Sequence, residues 1–113
     1  MKHLFAAALI ACTPFAGFAD TASMLKLALD RNLSNDKVSE SMIRSDGTLY
    51  GVYSGKKYEG TWELKGDQYC RKIPTFNING CQSLVPVLAD DGSVKGVRFI
   101  DPGKDTGNAY HFD

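Results

Sequence analysis

The segment KYEGTWELK, residues 57–65, decides the fold of this chain. Apolar or small residues occupy every second position, at Tyr58, Gly60, Trp62 and Leu64, and charged or hydroxyl side chains fill the positions between them. Because successive side chains of a strand point to opposite faces, a period of two places all the apolar residues on one face. A helix would scatter them around its circumference. The segment therefore predicts an antiparallel strand with one buried and one wet face.

The same period continues on both sides of this strand, interrupted by turn signals. Ser-Asp-Gly, Ser-Gly-Lys, Gly-Asp and Asp-Asp-Gly-Ser groups provide the positive φ angles that tight hairpins need. The predicted strands cover residues 38–44, 48–53, 57–65, 68–73, 82–88 and 94–100, and a seventh is expected over 109–112. This spacing predicts a mainly β fold, a small antiparallel meander or barrel of six to seven strands. Pro74 and Pro86 are expected at sheet edges or strand ends.

One helix is predicted at the start of this β region, over residues 21–33. Leu25, Ala28 and Leu29 recur at i, i+3 and i+4, as on the apolar face of a helix. Thr21 or Ser23 can cap its N-terminus. A single amphipathic helix can cover one face or one open end of the sheet.

The N-terminus resembles a secretory signal. Lys2 gives a positive start, an apolar run of about fifteen residues follows, and Gly17 and Ala19 are the small residues of a cleavage site before Asp20. The run is too short to span a hydrocarbon core of about 30 Å. We therefore predict a signal peptide over residues 1–19, and an exported single domain over residues 20–113 in the periplasm or outside the cell.

A lipid anchor is the alternative interpretation of this segment. Leu9-Ile-Ala-Cys12 resembles a bacterial lipobox, in which the cysteine is acylated and becomes the new N-terminus. The residues after Cys12 stay apolar, whereas a tether is usually polar, and this favours cleavage after Ala19. Association with a membrane is expected only if Cys12 is acylated.

Two cysteines, Cys70 and Cys81, follow the predicted signal peptide. An even count fits a disulfide in an oxidising compartment. Closing a loop of about 12 residues stabilises the fold by roughly 2.8 kcal/mol in the chain-entropy model. A redox-active pair is the alternative, but such pairs are commonly Cys-x-x-Cys at a helix start. We therefore expect a structural bridge.

Charge and composition exclude several classes of function. The chain carries 13 basic and 13 acidic residues, and loss of Lys2 with the signal peptide leaves a net charge of −1. With the charges so nearly balanced, we expect no strong positive potential that would attract nucleic acid. His111 is the single histidine after residue 19, and no metal-ligand spacing, catalytic triad or phosphate-binding loop is present in the sequence. We expect neither a cofactor nor a metal.

The carboxylates do not form a recognisable catalytic pair. Glu59 and Glu63 lie on the wet face of the same strand, about 13 Å apart at roughly 3.3 Å per residue. That separation is too large for a retaining glycosidase. Asp90 and Asp91 are turn formers, with calcium binding as the alternative. Enzymatic activity is not expected, and a pocket carboxylate that the sequence does not reveal would be the exception.

Aromatic residues are the remaining candidates for a binding surface. They are concentrated in the predicted strands, where they either fill the core or line the mouth of a barrel and stack on a ligand. Tyr50 and Tyr53 lie on opposite faces of their strand, so at most one shares the environment of Trp62. The frequent glycines predict tight bends in a curved barrel, with close approach of a ligand as the alternative.

One set of motifs resembles a recurring group of small secreted bacterial proteins of unknown function. The motifs are Asp46-Gly47-x-x-x-Gly51, Tyr58-x-Gly60-Thr61-Trp62-x-x-x-Gly66-Asp67-x-x-Cys70 and Cys81-x-x-x-Val85. The resemblance implies a β-rich exported domain in which the two cysteines are joined. It implies no activity.

A second motif is similar to the signature of periplasmic C-type lysozyme inhibitors. It consists of Ser54-Gly55-x-x-Tyr58, together with Trp62 and Lys65-Gly66. Those inhibitors are small disulfide-bonded β-barrels in which a Ser-Gly-x-x-Tyr loop and a Lys-Gly pair enter the lysozyme cleft. The resemblance implies contact roles for Ser54 and Lys65. That family places a cysteine before the motif, whereas both cysteines here follow it.

The sequence thus predicts an exported, non-enzymatic binding module for a small apolar or aromatic ligand or for a protein partner. A small-ligand binder should have a hollow interior lined by Tyr or Trp. An inhibitor of a lysozyme-type enzyme should present Ser54 and Lys65 on one exposed rim. The candidate binding residues are Ser54, Tyr58, Lys65, Tyr50 and Tyr53.

Overall fold

The computed structural model describes residues 20–113, so the predicted signal peptide and Cys12 lie outside the described residues. One helix and eight strands follow each other along the chain: α1 (Thr21–Ala28), β1 (Leu33–Ser34), β2 (Val38–Ile43), β3 (Thr48–Tyr53), β4 (Lys56–Lys65), β5 (Gln68–Ile73), β6 (Ile78–Leu88), β7 (Val94–Ile100) and β8 (Asn108–Phe112). All the paired strands are antiparallel, in the order β1-β8-β7-β6-β5-β4-β3-β2. The predicted mainly β fold with one helix is confirmed.

The sheet curls into a nearly closed barrel, because β1 and β2 at its two ends lie side by side. The Ser41 hydroxyl donates a hydrogen bond of 2.7 Å to the Leu33 carbonyl oxygen. The Ser41 amide donates to the Asn32 side chain at 3.3 Å, and the Asn35 amide donates to the Val38 carbonyl at 2.9 Å. These three hydrogen bonds join β1 and the residues beside it to β2, where the two ends of the sheet meet.

The predicted count of six to seven strands is wrong, because Leu33 and Ser34, where the helical segment was predicted to end, form the additional strand β1. β1 has two residues, and Leu33 pairs with Phe112 of β8. The helix ends at Ala28, since Leu29 has a ψ of 137° and Asp30 takes a positive φ of 61°. The Asp30 amide then donates to the Ile43 carbonyl of β2 at 2.8 Å. This bond to the barrel wall replaces the next helical turn.

The predicted helix caps, Thr21 and Ser23, are also wrong. Asp20 is the N-cap, and its carboxylate accepts a hydrogen bond of 2.7 Å from the Ser23 amide. The Thr21 hydroxyl instead accepts from the Leu84 amide at 3.2 Å, and the Thr21 amide donates to the Asp67 carboxylate at 3.1 Å. The first turn is therefore bonded to both β6 and the β4–β5 turn.

Helix α1 closes one end of the barrel. Met24 and Ala28 are fully buried, and Leu25 is nearly so. They share one apolar cluster with the fully buried Leu84 of β6 and Val97 of β7. A sheet buries its apolar face most simply by packing another element against it, and here the helix does so at the barrel end.

Strand β4 shows the predicted alternation from Lys57 to Trp62, whereas Leu64, predicted on the buried face, is 39% exposed. Tyr58, Gly60 and Trp62 are half-buried, whereas Lys57 and Glu59 are exposed. The Trp62 indole nitrogen donates to the Arg44 carbonyl at 2.8 Å, in the β2–β3 turn.

The prolines lie where a strand ends or has one partner. Pro74 begins a short 3₁₀ turn, Pro74–Phe76, directly after β5. Pro86 pairs with Val97 of β7, beyond the last pair that joins β6 to β5, Tyr69 with Gln82. Strand β6 also begins four residues earlier than predicted, at Ile78.

A disulfide joins Cys70 to Cys81, as predicted. The two residues lie directly opposite each other on β5 and β6. By alternation their side chains occupy the outer face, opposite to Tyr69 and Arg71. The bridge is consistent with an oxidising compartment. No helix within residues 20–113 has the length and apolar character needed to cross a bilayer.

Candidate functional site

The interior of the barrel contains a cavity of about 400 Å³. Its walls are mainly aromatic and aliphatic, with a few polar groups. The lining residues are Leu33, Val38, Ser41, Met42, Ile43, Leu49, Tyr50, Tyr53, Tyr58, Tyr69, Arg71, Ile73, Phe76, Ile78, Gln82, Phe99, Asn108 and Tyr110. Pockets for small ligands typically measure about 300–1,000 Å³ and have such walls.

The mouth of the cavity lies at the end opposite to α1. The β3–β4 turn, the 3₁₀ turn and the β7–β8 loop surround this end, and Tyr53 is 42% exposed there. The Phe76 ring lies 5.7 Å from the Tyr53 ring and 5.6 Å from the Tyr58 ring, centroid to centroid. Lys56 Nζ lies 5.6 Å from the centroid of the same Phe76 ring. An aromatic cluster therefore borders the entrance.

Further aromatic contacts continue into the barrel. The Trp62 and Tyr69 ring centroids are 6.2 Å apart, and those of Tyr69 and Phe99 are 5.7 Å apart. Phe99 meets the Tyr110 ring edge to face at 5.2 Å. These separations fall in the range of favourable ring pairs, so the rings support one another from β4 across to β8.

Glycine allows one tyrosine to lie flat on the wall. Gly51 pairs with Tyr58 across β3 and β4. A Cβ atom at Gly51 would collide with the Tyr58 ring and hydroxyl. The ring thus crosses β3 where no side chain stands. This close approach within the protein accounts for the glycine in the middle of β3.

Three tyrosine hydroxyls of the cavity share the field of one arginine. Burial raises the pKa of Tyr58 to about 12, and it also raises the pKa of Tyr69 and of Tyr110. The positive charge of Arg71 opposes that rise in pKa for all three tyrosines. These three tyrosines line the same cavity as Arg71.

Arg71 is held by a relay of two hydrogen bonds. Its Nη1 donates to Gln82 Oε1 at 2.5 Å, and Gln82 Nε2 donates to Asp101 Oδ1 at 2.9 Å. Asp101 lies at the start of the β7–β8 loop. Among the described residues, no carboxylate lines the cavity itself. The arrangement supplies hydrogen-bond donors and rings, which can bind a ligand.

The structure brings together some of the predicted site residues. Tyr53 and Tyr58 both point into the cavity near its mouth. Tyr50 borders the cavity from the opposite face of β3, where its ring lies 4.5 Å from the Arg44 guanidinium. Ser54 is exposed in the adjoining turn, with a positive φ of 48°.

Ser54 and Lys65 do not share a rim. Ser54 precedes β4 and lies at the mouth, whereas Lys65 ends β4 on the side of α1. The ten residues of β4 separate them by about 30 Å at roughly 3.3 Å per residue. Lys65 is exposed and pairs there with Glu63 at 3.5 Å.

Two exposed aspartates stabilise turns. Hydrogen bonds from the Thr48 side chain and amide lower the pKa of Asp46. The corresponding bonds from Ser93 lower the pKa of Asp91 in the β6–β7 turn. Within residues 20–113, no group of three or more histidine, cysteine or acidic residues is arranged to hold a metal ion.

Sequence reasoning missed Arg71, Gln82, Phe76 and Tyr110 as site residues. A signal for Arg71 was present, because alternation along the predicted strand 68–73 places it on the same face as Tyr69 and Ile73. A charged residue between two buried apolar ones on an inner face is a candidate for function. Phe76 had no such signal, since its position depends on the 3₁₀ turn.

No protein-family model, curated protein sequence or solved structure significantly matches this chain. The two motif resemblances therefore stay predictions.

Proposed function

We propose that this chain is an exported, non-enzymatic binding module that holds a small apolar or aromatic ligand inside its barrel. The observation that carries the proposal is the cavity of about 400 Å³ walled by inward-facing tyrosine, phenylalanine and aliphatic side chains. Burial of apolar ligand surface against such walls gives the main driving force for binding.

The walls are held by elements that keep the cavity open. Strands carry most of the lining residues, α1 packs against the far end, and the disulfide ties β5 to β6. A binding site built on strands is better defined than one built on loops. The ligand therefore meets a largely preformed site, which limits the entropy lost on binding.

The periplasm or the exterior of the cell is the compartment we propose. The disulfide supports an oxidising environment. Acylation of Cys12 would retain the same cavity but place the barrel on a membrane surface.

The other two functions receive less support. A lysozyme-type inhibitor with the predicted contacts needs Ser54 and Lys65 on one rim, but they lie at opposite ends of β4. An enzyme would need convergent reactive groups, and the described lining offers no carboxylate to act beside Arg71.

Binding of a neutral apolar dye, N-phenyl-1-naphthylamine, tests the proposal. We expect saturable binding of one dye per chain, measured by the rise in dye emission. Ile78→Trp adds a large ring to the cavity wall and should weaken dye binding at least tenfold. Thr61→Trp adds the same ring on the exposed outer face of β4 and is the matched control.

Denaturation curves establish that both variants are folded. Equal dye binding by the two variants would contradict a site in the barrel, and so would the absence of saturable binding to the wild-type protein.

A further inference from the structure

The cavity holds one positive charge in largely apolar surroundings. Arg71 is the single cationic residue among the described residues that line it. On β5 it lies between Tyr69 and Ile73 of the same face, and both of these are buried. Arg71 itself is half-buried, and even partial removal of a charge from water costs free energy unless the charge is paired. An arginine here calls for a physical explanation.

Its anchor within the protein is neutral. Arg71 bonds to the amide oxygen of Gln82, and the carboxylate of Asp101 contacts the other end of that amide. In the described part of the chain, the ion pair present joins Lys65 to Glu63, outside the cavity. The guanidinium stays charged at all ordinary pH values, so the relay orients it without neutralising it.

Most of the donors of Arg71 have no partner among the described residues. A guanidinium has five N–H groups, and the bond to Gln82 uses Nη1. Nε and Nη2 make no hydrogen bond to another described residue, and no buried side-chain nitrogen or oxygen in residues 20–113 lacks a partner. These two nitrogens are therefore accessible, and the Arg71 side chain lines the cavity.

No side chain stands opposite Arg71 on β6. Gly80 is the residue directly opposite Arg71 on β6. A Cβ atom at Gly80 would meet nothing within 4 Å. Tyr58, Tyr69 and Tyr110 line the same cavity as Arg71, and a tyrosine hydroxyl can donate to an oxygen atom bound there.

We infer that the ligand is an amphipathic anion, with a carboxylate bound by Arg71 and an apolar or aromatic body packed against Phe76 and Tyr53. A carboxylate accepts two parallel N–H bonds from the guanidinium fork. The ligand carboxylate would neutralise the charge of Arg71, and the Phe76 and Tyr53 rings at the mouth would cover the apolar part of the ligand. This inference rests on the proposed function, because it names the ligand class of the same cavity.

The test compares 2-naphthoate with 2-naphthamide, which have the same ring system but differ in charge. Titration calorimetry on the folded wild-type protein at pH 7 should show at least tenfold tighter binding of the naphthoate, which corresponds to about 1.4 kcal/mol. In Arg71→Gln the ratio of the two affinities should fall to within twofold of one. In Lys72→Gln, which removes a neighbouring charge on the outer face of β5, the tenfold ratio should remain.

Arg71→Lys is the second variant. It keeps the charge but loses the fork, and an intermediate ratio is expected. The inference is overturned if the wild-type protein binds the two compounds equally, or if a folded Arg71→Gln or Arg71→Lys protein retains the full preference. Saturable binding of the neutral dye with no preference for the naphthoate would overturn this inference alone. Absence of dye binding would overturn the proposed function as well.

Discussion

The two ends of the barrel differ in how their inner side chains are buried. At the end closed by α1, Met24, Leu84 and Val97 are fully buried. At the mouth, Phe76 and Ile78 are half-buried and Tyr53 is 42% exposed. The helix supplies apolar side chains that fill the barrel at one end, whereas only turns and a loop surround the other. The most tightly packed side chains therefore lie at one end of the barrel, and the proposed entrance for a ligand lies at the other.

The largest expected effect is on the closed end. Leu84→Ala should lower the free energy of unfolding by about 2–5 kcal/mol, because a fully buried leucine leaves a cavity that its neighbours cannot fill. Phe76→Ala, at the mouth, should lower it by no more than about 1 kcal/mol, since the ring is already partly in water. Urea denaturation measures both. Phe76→Ala should also weaken dye binding severalfold.

Equal destabilisation by these two substitutions would break the comparison between the ends. It would mean that the aromatic cluster at the mouth supports the fold as strongly as the helix does.

Removal of the disulfide should have the next largest effect on the free energy of unfolding. Replacing both cysteines, in Cys70→Ser/Cys81→Ser, should lower the free energy of unfolding by about 2.8 kcal/mol, because a closed loop of roughly 12 residues restricts the unfolded chain. The bridge lies outside the barrel, between the strands that carry Arg71 and Gln82. Urea denaturation of oxidised wild type and the variant measures the loss. If the variant still binds naphthoate more tightly than naphthamide, the backbone hydrogen bonds between β5 and β6 are sufficient to position Arg71.

The smallest effect appears at alkaline pH. Burial raises the pKa of Tyr58 to about 12, whereas an unfolded tyrosine titrates near its ordinary value of 10.0. Between these values the unfolded chain releases a proton that the folded chain retains. The contribution of Tyr58 to stability is therefore complete below pH 10 and is lost as the pH rises toward 12.

Tyr58→Phe should show a shallower fall of stability over that pH window, measured by urea denaturation at successive pH values. Tyr50→Phe, on the opposite face of β3, is the matched control. An unchanged slope in Tyr58→Phe would show that its hydroxyl is not buried as described.

Much of the fold was predictable because it depends on local patterns. Alternation in residues 57–65 and the turn residues around it give the strands β2 to β5 and β7 nearly to the residue. Strand β1 was missed because two residues carry no periodicity of their own. Its pairing depends on β8, nearly eighty residues away in the chain. The helix cap at Asp20 was missed because Thr21 and Ser23 are equally good caps by composition.

The sequence by itself determined the alternating strands, the turns, the pairing of two cysteines and the even balance of charge. These properties follow from side-chain chemistry and from near neighbours in the chain. Only the tertiary structure decided which end of the barrel is filled and which is open, that Ser54 and Lys65 lie apart, and that Arg71 faces a cavity. Those outcomes depend on closure of the sheet, which brings distant strands together around one interior.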